Sequence, residues 1–338
     1  MLGGNRRCPV TMKHNLKITL ILIGMFLITQ LIGLFVVGVY SNHDIPYNMQ
    51  PPKEIQPQKF CSFNNSYSEY FECIFNTLPG SIIFSFIIAI GIFIILTRLN
   101  AEAFIRVWFF LVTIIAIALA LNAFLLKANI IYSSIISLII ALVLAYFKIY
   151  KRNLTIHNLT ELIIYPGIAI ILIPLLGVLG IIVLLLLISL YDIWAVWQSQ
   201  FMQKMAKYQI NNIKIFTGFF IPYADKEQKQ KINLIKQKYK NKSESFIEQQ
   251  FKKAKIKVHL AILGGGDIVF PIITAGVFYR FYSSIIPALI IVLFATLGLL
   301  YLFVFAKKGK FYPAMPFLTI AMYLGMIISW ILMAIKVI

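Results

Sequence analysis

The sequence predicts an all-α polytopic membrane protein with nine transmembrane helices in one domain. Of its 338 residues, 60% are hydrophobic and only 13% are charged. Apolar runs of roughly 20 residues, the length that crosses a bilayer as a helix, recur along the whole chain. The predicted spans are 16–40, 80–98, 104–126, 129–147, 159–176, 178–198, 257–278, 284–305 and 313–335.

The first span follows a short basic stretch, as a secretory signal peptide does. Its apolar run of 25 residues, 16–40, exceeds the roughly 7 to 15 residues of a signal peptide core. No small-residue cleavage site follows it. We therefore expect an uncleaved signal anchor.

The basic residues are distributed unevenly between the two sides of the membrane. With the N-terminus in the cytoplasm, 26 of the 31 Lys and Arg residues fall on the cytoplasmic side of the nine spans. This bias is typical of membrane topology, and it places the C-terminus and the 41–79 loop outside and the 199–256 loop inside. The net charge of +19 is explained by topology, so we expect no nucleic-acid partner.

The two long loops leave questions open. Cys61 and Cys73 share the 41–79 loop, and spacing alone does not decide whether they form a disulfide. In the 199–256 loop, the apolar residues 213–222 are interpreted either as an interfacial anchor or as a β-prone edge for an extended peptide. Residues 226–251 are rich in charged and polar residues with apolar residues spaced between them, and they are expected to form a surface or interfacial helix.

The beginning and end of the fifth span carry local signals. Asn158 and Glu161 have the spacing of a capping box, which predicts that Glu161 bonds back to the start of the helix. Pro174 and Gly177 predict a tight turn into the sixth span. We expect the fifth and sixth helices to be antiparallel neighbours.

Asp192 and Asp267 are the only carboxylates well inside the predicted apolar spans. A charged group at bilayer depth costs about 3 kcal/mol or more, so it is usually paired and functional. Counting at 1.5 Å per residue from the cytoplasmic helix ends places Asp192 about 9 Å deep and Asp267 about 14 Å deep. Two facing carboxylates would share a proton, and such a pair can activate water and polarise a carbonyl. This arrangement suits hydrolysis.

Three glycines, Gly264, Gly265 and Gly266, precede Asp267 directly. Each glycine costs about 1 kcal/mol in a helix relative to alanine. They indicate close approach by a neighbouring helix or by a substrate strand.

A proline-rich segment opens the ninth span, with Pro313, Ala314, Met315 and Pro316 in sequence. Two prolines favour extended backbone and remove two amide donors, so the segment can receive a peptide. The simpler interpretation is that the prolines only begin a helix.

Together these motifs resemble those of the presenilin and signal peptide peptidase family of intramembrane aspartyl proteases. That family is marked by Y-D in the sixth helix, G-x-G-D in the seventh and P-A-L before the ninth. The corresponding residues here are Tyr191 and Asp192, the three glycines with Asp267, and Pro313, Ala314 and Met315. Methionine replaces the usual leucine, a swap that conserves volume. The combination is most like archaeal presenilin homologues, and the basic 199–256 loop matches the presenilin orientation.

The resemblance implies a presenilin-like fold and a protease that cuts transmembrane segments of membrane proteins. Asp192 and Asp267 would be catalytic, Tyr191 and the glycines would support them, and Pro313 to Pro316 would bind substrate. An ion-coupled transporter that uses the aspartates as an ion site is the alternative from another class. Prepilin peptidases share G-x-G-D but typically place a lysine where this chain has Val269. No cofactor or metal is expected, and the oligomeric state is open.

Overall fold

The computed structural model describes residues 16–41, 43, 46, 88, 91–92, 102–151, 153–198, 217–223, 228, 230, 234–235, 237, 259–305 and 312–335. Nearly all of the predicted second span and most of the two long loops lie outside these residues. The same is true of Cys61 and Cys73, so their pairing stays a prediction.

Eight helices and two strands lie within the described residues. The helices are α1 (Leu16–Tyr40), α2 (Glu102–Lys127), α3 (Ser133–Tyr150), α4 (Leu154–Leu172), α5 (Val178–Ile193), α6 (Gly265–Tyr282), α7 (Ile285–Phe305) and α8 (Met315–Ala334). The strands are β1 (Gly218–Tyr223) and β2 (His259–Gly264). A 3-10 turn, Ile173–Leu175, follows α4, and a π-helical turn, Trp194–Gln198, follows α5.

Seven of these helices, all except α6, are long and apolar enough to cross a membrane. The prediction of a helical multi-pass membrane fold is therefore confirmed, while nine spans exceed what the described residues contain. Most helix ends lie within a few residues of the predicted spans. The predicted and observed helices agree because a long apolar run in a bilayer must form its backbone hydrogen bonds within one helix.

The seventh predicted span requires a correction. Residues 259–264, the first part of that span, form strand β2, which pairs antiparallel with β1, and the helix begins only at Gly265. An extended residue rises about 3.3 Å and a helical residue 1.5 Å, so the helical depth count for Asp267 does not apply. Asp267 instead lies in the first turn of α6.

Helices α4 and α5 are joined tightly, as predicted, but they are not packed neighbours. Helix α6 packs against both of them, and α5 packs against α8. A Cβ on Gly276 of α6 would lie 2.3 Å from the Ile173 side chain, which shows how closely α6 approaches the turn that joins them. Helix α6 thus separates the two helices that the short turn connects.

The predicted capping box is also wrong. Helix α4 begins at Leu154, and its N-cap is Asn153, whose side chain accepts a hydrogen bond from the Thr155 amide at 2.9 Å. Glu161 therefore lies two turns inside the helix, where its side chain is fully buried.

The core is centred on α1, α4 and α6. Helix α1 packs against α2, α4, α6 and α7, and its buried Gln30 donates a hydrogen bond from Nε2 to the Ile268 carbonyl of α6 at 2.9 Å. This bond fixes the first turn of α6, next to Asp267. Gln30 is a polar residue in the middle of an apolar helix, and its role was not predicted.

Candidate active site

Asp192 is the penultimate residue of α5, two residues before the π-helical turn begins, and is almost fully buried. Its Oδ2 accepts a hydrogen bond from the Met315 backbone amide at 3.0 Å, and the Ala314 amide bonds to the same carboxylate. These amides lie at the N-terminus of α8, where the first backbone donors of a helix have no partner within it. The carboxylate satisfies them, and they hold it in place.

Helix α8 is fastened to α5 by two further hydrogen bonds. The Tyr323 hydroxyl donates to the Ile182 carbonyl at 2.6 Å, and Thr319 donates to the Leu185 carbonyl at 3.5 Å. These bonds fix the position of α8 along α5, so the start of α8 lies beside Asp192.

Asp267 is the third residue of α6 and is half-buried. It lies within electrostatic range of Asp192, the other carboxylate singled out in the sequence, because α6 packs against α5. The backbone amides at the N-terminus of α6 favour negative charge nearby. Two carboxylates in one site, one from a helix end and one from a helix start, can share a proton and work as an acid and a base.

The three glycines before Asp267 differ in what surrounds them. A Cβ on Gly264 would lie 3.2 Å from the Asp267 Oδ2, and one on Gly265 would lie 2.9 Å from the Tyr165 ring and hydroxyl. A Cβ on Gly266 would meet only Phe270, at 3.7 Å, which is an ordinary contact. Close approach by a neighbouring helix is therefore found at Gly265, where the approaching group is Tyr165 of α4, whereas the near atom at Gly264 belongs to the Asp267 side chain itself.

The segment before α8 touches the site through its backbone. Pro313 and Met315 are buried, while Ala314 and Pro316 are half-buried. The prediction that its carbonyls receive a peptide is untested, but the amides of Ala314 and Met315 bind Asp192. Tyr191 packs its ring against Trp194, with centroids 6.1 Å apart, and so braces the turn that carries Asp192.

Four residues of α4 and one of α3 near this site were not predicted to act there. Glu161 forms an ion pair with Lys148 of α3, and both side chains are buried. His157 and Asn158 bond to strand β1, and Tyr165 packs against the junction of β2 and α6. The signal in the sequence is the spacing of His157, Glu161 and Tyr165, which repeats every four residues and places three polar groups on one helix face.

Within the described ranges, no group of three or more His, Cys, Asp or Glu side chains is placed to hold a metal ion.

Comparison with known proteins supports one family. Residues 71–335 match the family model described as signal-peptide peptidase, presenilin aspartyl protease. Two solved structures, both of a presenilin family intramembrane aspartate protease, in C222 and P2 space groups, share the fold. The first is 17% identical with a TM-score of 0.53, and covers 93% of this chain and 99% of its own. The second is 18% identical with a TM-score of 0.55, and covers 93% of this chain and 97% of its own. No individual curated protein sequence matches the chain.

Proposed function

Because the chain belongs to the signal-peptide peptidase and presenilin family of aspartyl proteases, we propose that Asp192 and Asp267 are its catalytic pair. The protein is an intramembrane aspartyl protease, and the transporter alternative is set aside. The observation that carries the residue assignment is that the end of α5 and the start of α6, two helices that pack together, bring these two carboxylates within electrostatic range of each other.

The reaction follows from two carboxyl groups that hold one proton between them. The ionised member removes a proton from a water molecule, whose oxygen attacks the scissile carbonyl carbon, while the protonated member donates to the carbonyl oxygen. Collapse of the tetrahedral intermediate breaks the C–N bond, and the amine leaves with a proton from the pair. The peptide is thereby converted to a carboxylic acid and an amine.

Fixed geometry is the contribution of the surrounding backbone. The amides of Ala314 and Met315 hold Asp192, and the absence of a side chain on Gly264 leaves room for Asp267. A preorganised pair needs little rearrangement during the reaction, which is how positioned groups lower a barrier.

The substrate is proposed to be a transmembrane segment that is bound as an extended strand. A helix hides each carbonyl in an i to i+4 hydrogen bond, so it must unwind before water can attack. Pro313 to Pro316 is the preferred docking edge beside Asp192. The segment's contact with the catalytic carboxylate supports this choice.

The second docking edge differs from the one expected from residues 213–221. Phe220 of β1 bonds through both its N–H and its C=O to the Asn158 side chain, so the outer edge of β1 is occupied. Phe220 lies opposite Ile262, and because both backbone groups of Phe220 bond to Asn158, the two residues form a non-hydrogen-bonded pair. In such a pair the N–H and C=O groups of both residues point away from each other, toward the outer edges of the two strands. The edge of β2 at Ile262, five residues before Asp267, is therefore the edge we propose for the substrate.

Nine spans with a cytoplasmic N-terminus complete the proposal. This topology is supported by the distribution of Lys and Arg, because it places 26 of the 31 on the cytoplasmic side. It implies substrates whose N-termini lie outside the cell, and an active site that water enters from the cytoplasmic side.

The experiment is cleavage of a synthetic transmembrane peptide by the purified full chain in proteoliposomes. Asp192→Asn and Asp267→Asn should each lower the rate by about 10²- to 10⁴-fold, the range for loss of an acid or base. Thermal unfolding of both variants should stay close to that of the parent. Substantial turnover by either folded variant would disprove the shared-proton mechanism.

A further inference from the structure

One face of α4 contacts the two-stranded β1–β2 sheet, whose strand β2 leads to Asp267. This face, here called the α4 cluster, consists of His157, Asn158, Glu161 and Tyr165. No member of the cluster belongs to the catalytic pair, yet three of them touch β1 or the glycines that follow β2.

Asn158 binds β1 in the way that a neighbouring strand would. Its Oδ1 accepts from the Phe220 amide at 3.0 Å, and its Nδ2 donates to the Phe220 carbonyl at 2.8 Å. A side-chain amide has one donor and one acceptor group in the same plane, so it can satisfy both backbone groups of a single residue. These two hydrogen bonds fix which residue of β1 lies opposite α4.

His157 adds a second point of attachment on the same strand. Its Nε2 lies 2.9 Å from the Gly218 carbonyl oxygen, and because a carbonyl only accepts, Nε2 carries the hydrogen. The imidazole also packs on the Phe220 ring, with centroids 5.1 Å apart. Gly218 and Phe220 are alternate residues, so the two contacts lie along one edge of β1 and resist sliding.

Glu161 fixes the cluster to the rest of the bundle. Its Oε1 pairs with Lys148 of α3 and lies 3.6 Å from the His157 Nε2. The Glu161 side chain is 1% exposed and that of Lys148 is 4% exposed, so the pair is shielded from water and anchors α4 to α3.

Tyr165 carries the same face onward to the catalytic helix. Its ring packs edge-on against Phe219 with centroids 6.0 Å apart, and it fills the space that a side chain on Gly265 would need. The cluster thus contacts β1 at three consecutive residues and the start of α6 two residues before Asp267.

We propose that the α4 cluster sets the register of the β1–β2 sheet relative to Asp267 and thereby selects which peptide bond is cut. The inference rests on the proposed function, in which the substrate pairs with β2. Strand β2 is held in position by its pairing with β1, and β1 is in turn held by its hydrogen bonds to the α4 cluster. A strand presents the same face at every second residue. If the β1–β2 sheet is held less firmly, the substrate strand should therefore be able to shift along β2 by two residues.

The test compares two asparagines of one helix. Asn158→Ala removes both hydrogen bonds to Phe220. Asn153→Ala removes the N-cap hydrogen bond of α4 but keeps the contacts of α4 with the β1–β2 sheet. Products from a synthetic transmembrane peptide are mapped by mass spectrometry, and kcat/KM is measured for each cut. Asn158→Ala should raise the share of cuts displaced by two residues about tenfold, the effect of losing one to two net hydrogen bonds. Asn153→Ala should keep the parent positions even if it lowers the thermal midpoint.

Two additions separate positioning from folding. Asn158→Asp keeps an acceptor for the Phe220 amide but lacks the donor to its carbonyl, so it should shift the cuts while retaining the fold. Hydrogen exchange of residues 217–223 should be faster in both Asn158 variants than in Asn153→Ala.

Each outcome is decisive. Unchanged cleavage positions in Asn158→Asp, whether or not exchange becomes faster, would overturn the inference, because the cluster would then be a structural support only. Failure of the parent protein to cut any transmembrane peptide would refute the proposed function and this inference with it. That failure is seen before any Asn158 variant is compared.

Discussion

Replacement of Lys148 by methionine should destabilise the protein far more than loss of a surface lysine. Methionine matches the lysine stem in length but leaves the Glu161 carboxylate buried without its cation. The side chains of this pair are 4% and 1% exposed, and Glu161 Oε2 has no hydrogen-bond partner among the described residues. Removal of one member of such a buried pair costs about 3 to 5 kcal/mol, whereas an exposed pair contributes about 0 to 1 kcal/mol.

The assay is equilibrium unfolding in mixed detergent micelles, with Lys127→Met as the control. Lys127 ends α2 and is exposed, so its loss should change the free energy of unfolding by less than about 1 kcal/mol. The double variant Lys148→Met with Glu161→Leu removes both charges and should be more stable than Lys148→Met alone. In a double-mutant cycle, the two changes should be non-additive by about 2 kcal/mol or more. A loss below about 1 kcal/mol for Lys148→Met, or simple additivity, would refute the buried-pair argument.

Three further predictions concern the site and its orientation. Gly265→Ala should lower cleavage at least tenfold by displacing Tyr165, whereas Gly266→Ala should retain most activity because its Cβ makes only an ordinary contact; equal effects in the peptide assay would contradict the steric argument. A protease-sensitive tag in residues 226–242 should be protected in intact cells and cut in inverted vesicles, and the reverse pattern would invert the topology. Pro313→Leu should slow cleavage of helix-weakened peptides without unfolding the protein, and parent rates with unchanged cleavage positions would reduce the segment to a helix start.

The sequence predicted the parts of the fold that depend on local composition. Helix α1 coincides with the predicted first span because a predominantly apolar segment of 25 residues in a bilayer has no stable alternative to a helix. Strand β2 was missed for a related reason. A short apolar run is compatible with both a buried strand and a helix. The choice between them depends on the pairing partner β1, which lies about 40 residues earlier in the chain.

The sequence singled out the two aspartates because each is isolated among apolar residues. Glu161 was given a wrong role because its position near the predicted start of a span suggested a local cap, whereas its partner Lys148 belongs to another helix. The bond between Asp192 and the Met315 amide was not predictable either. It joins residues 123 positions apart and depends on a backbone group, which no side-chain pattern reveals.

The site lies where helices end or begin, and the membrane explains why. The first amides of α8 have no partner within the helix, and in a bilayer an unpaired amide costs several kcal/mol. Asp192 supplies the missing acceptor for Met315, so one carboxylate satisfies the backbone and is held in place for the catalytic role that we propose for it. The choice of substitution follows from this double role. Asparagine keeps an oxygen for the Met315 amide, whereas alanine leaves that donor buried and unpaired. Loss of cleavage in Asp192→Asn therefore reports on the missing proton carrier, while loss in Asp192→Ala would also reflect a damaged helix start.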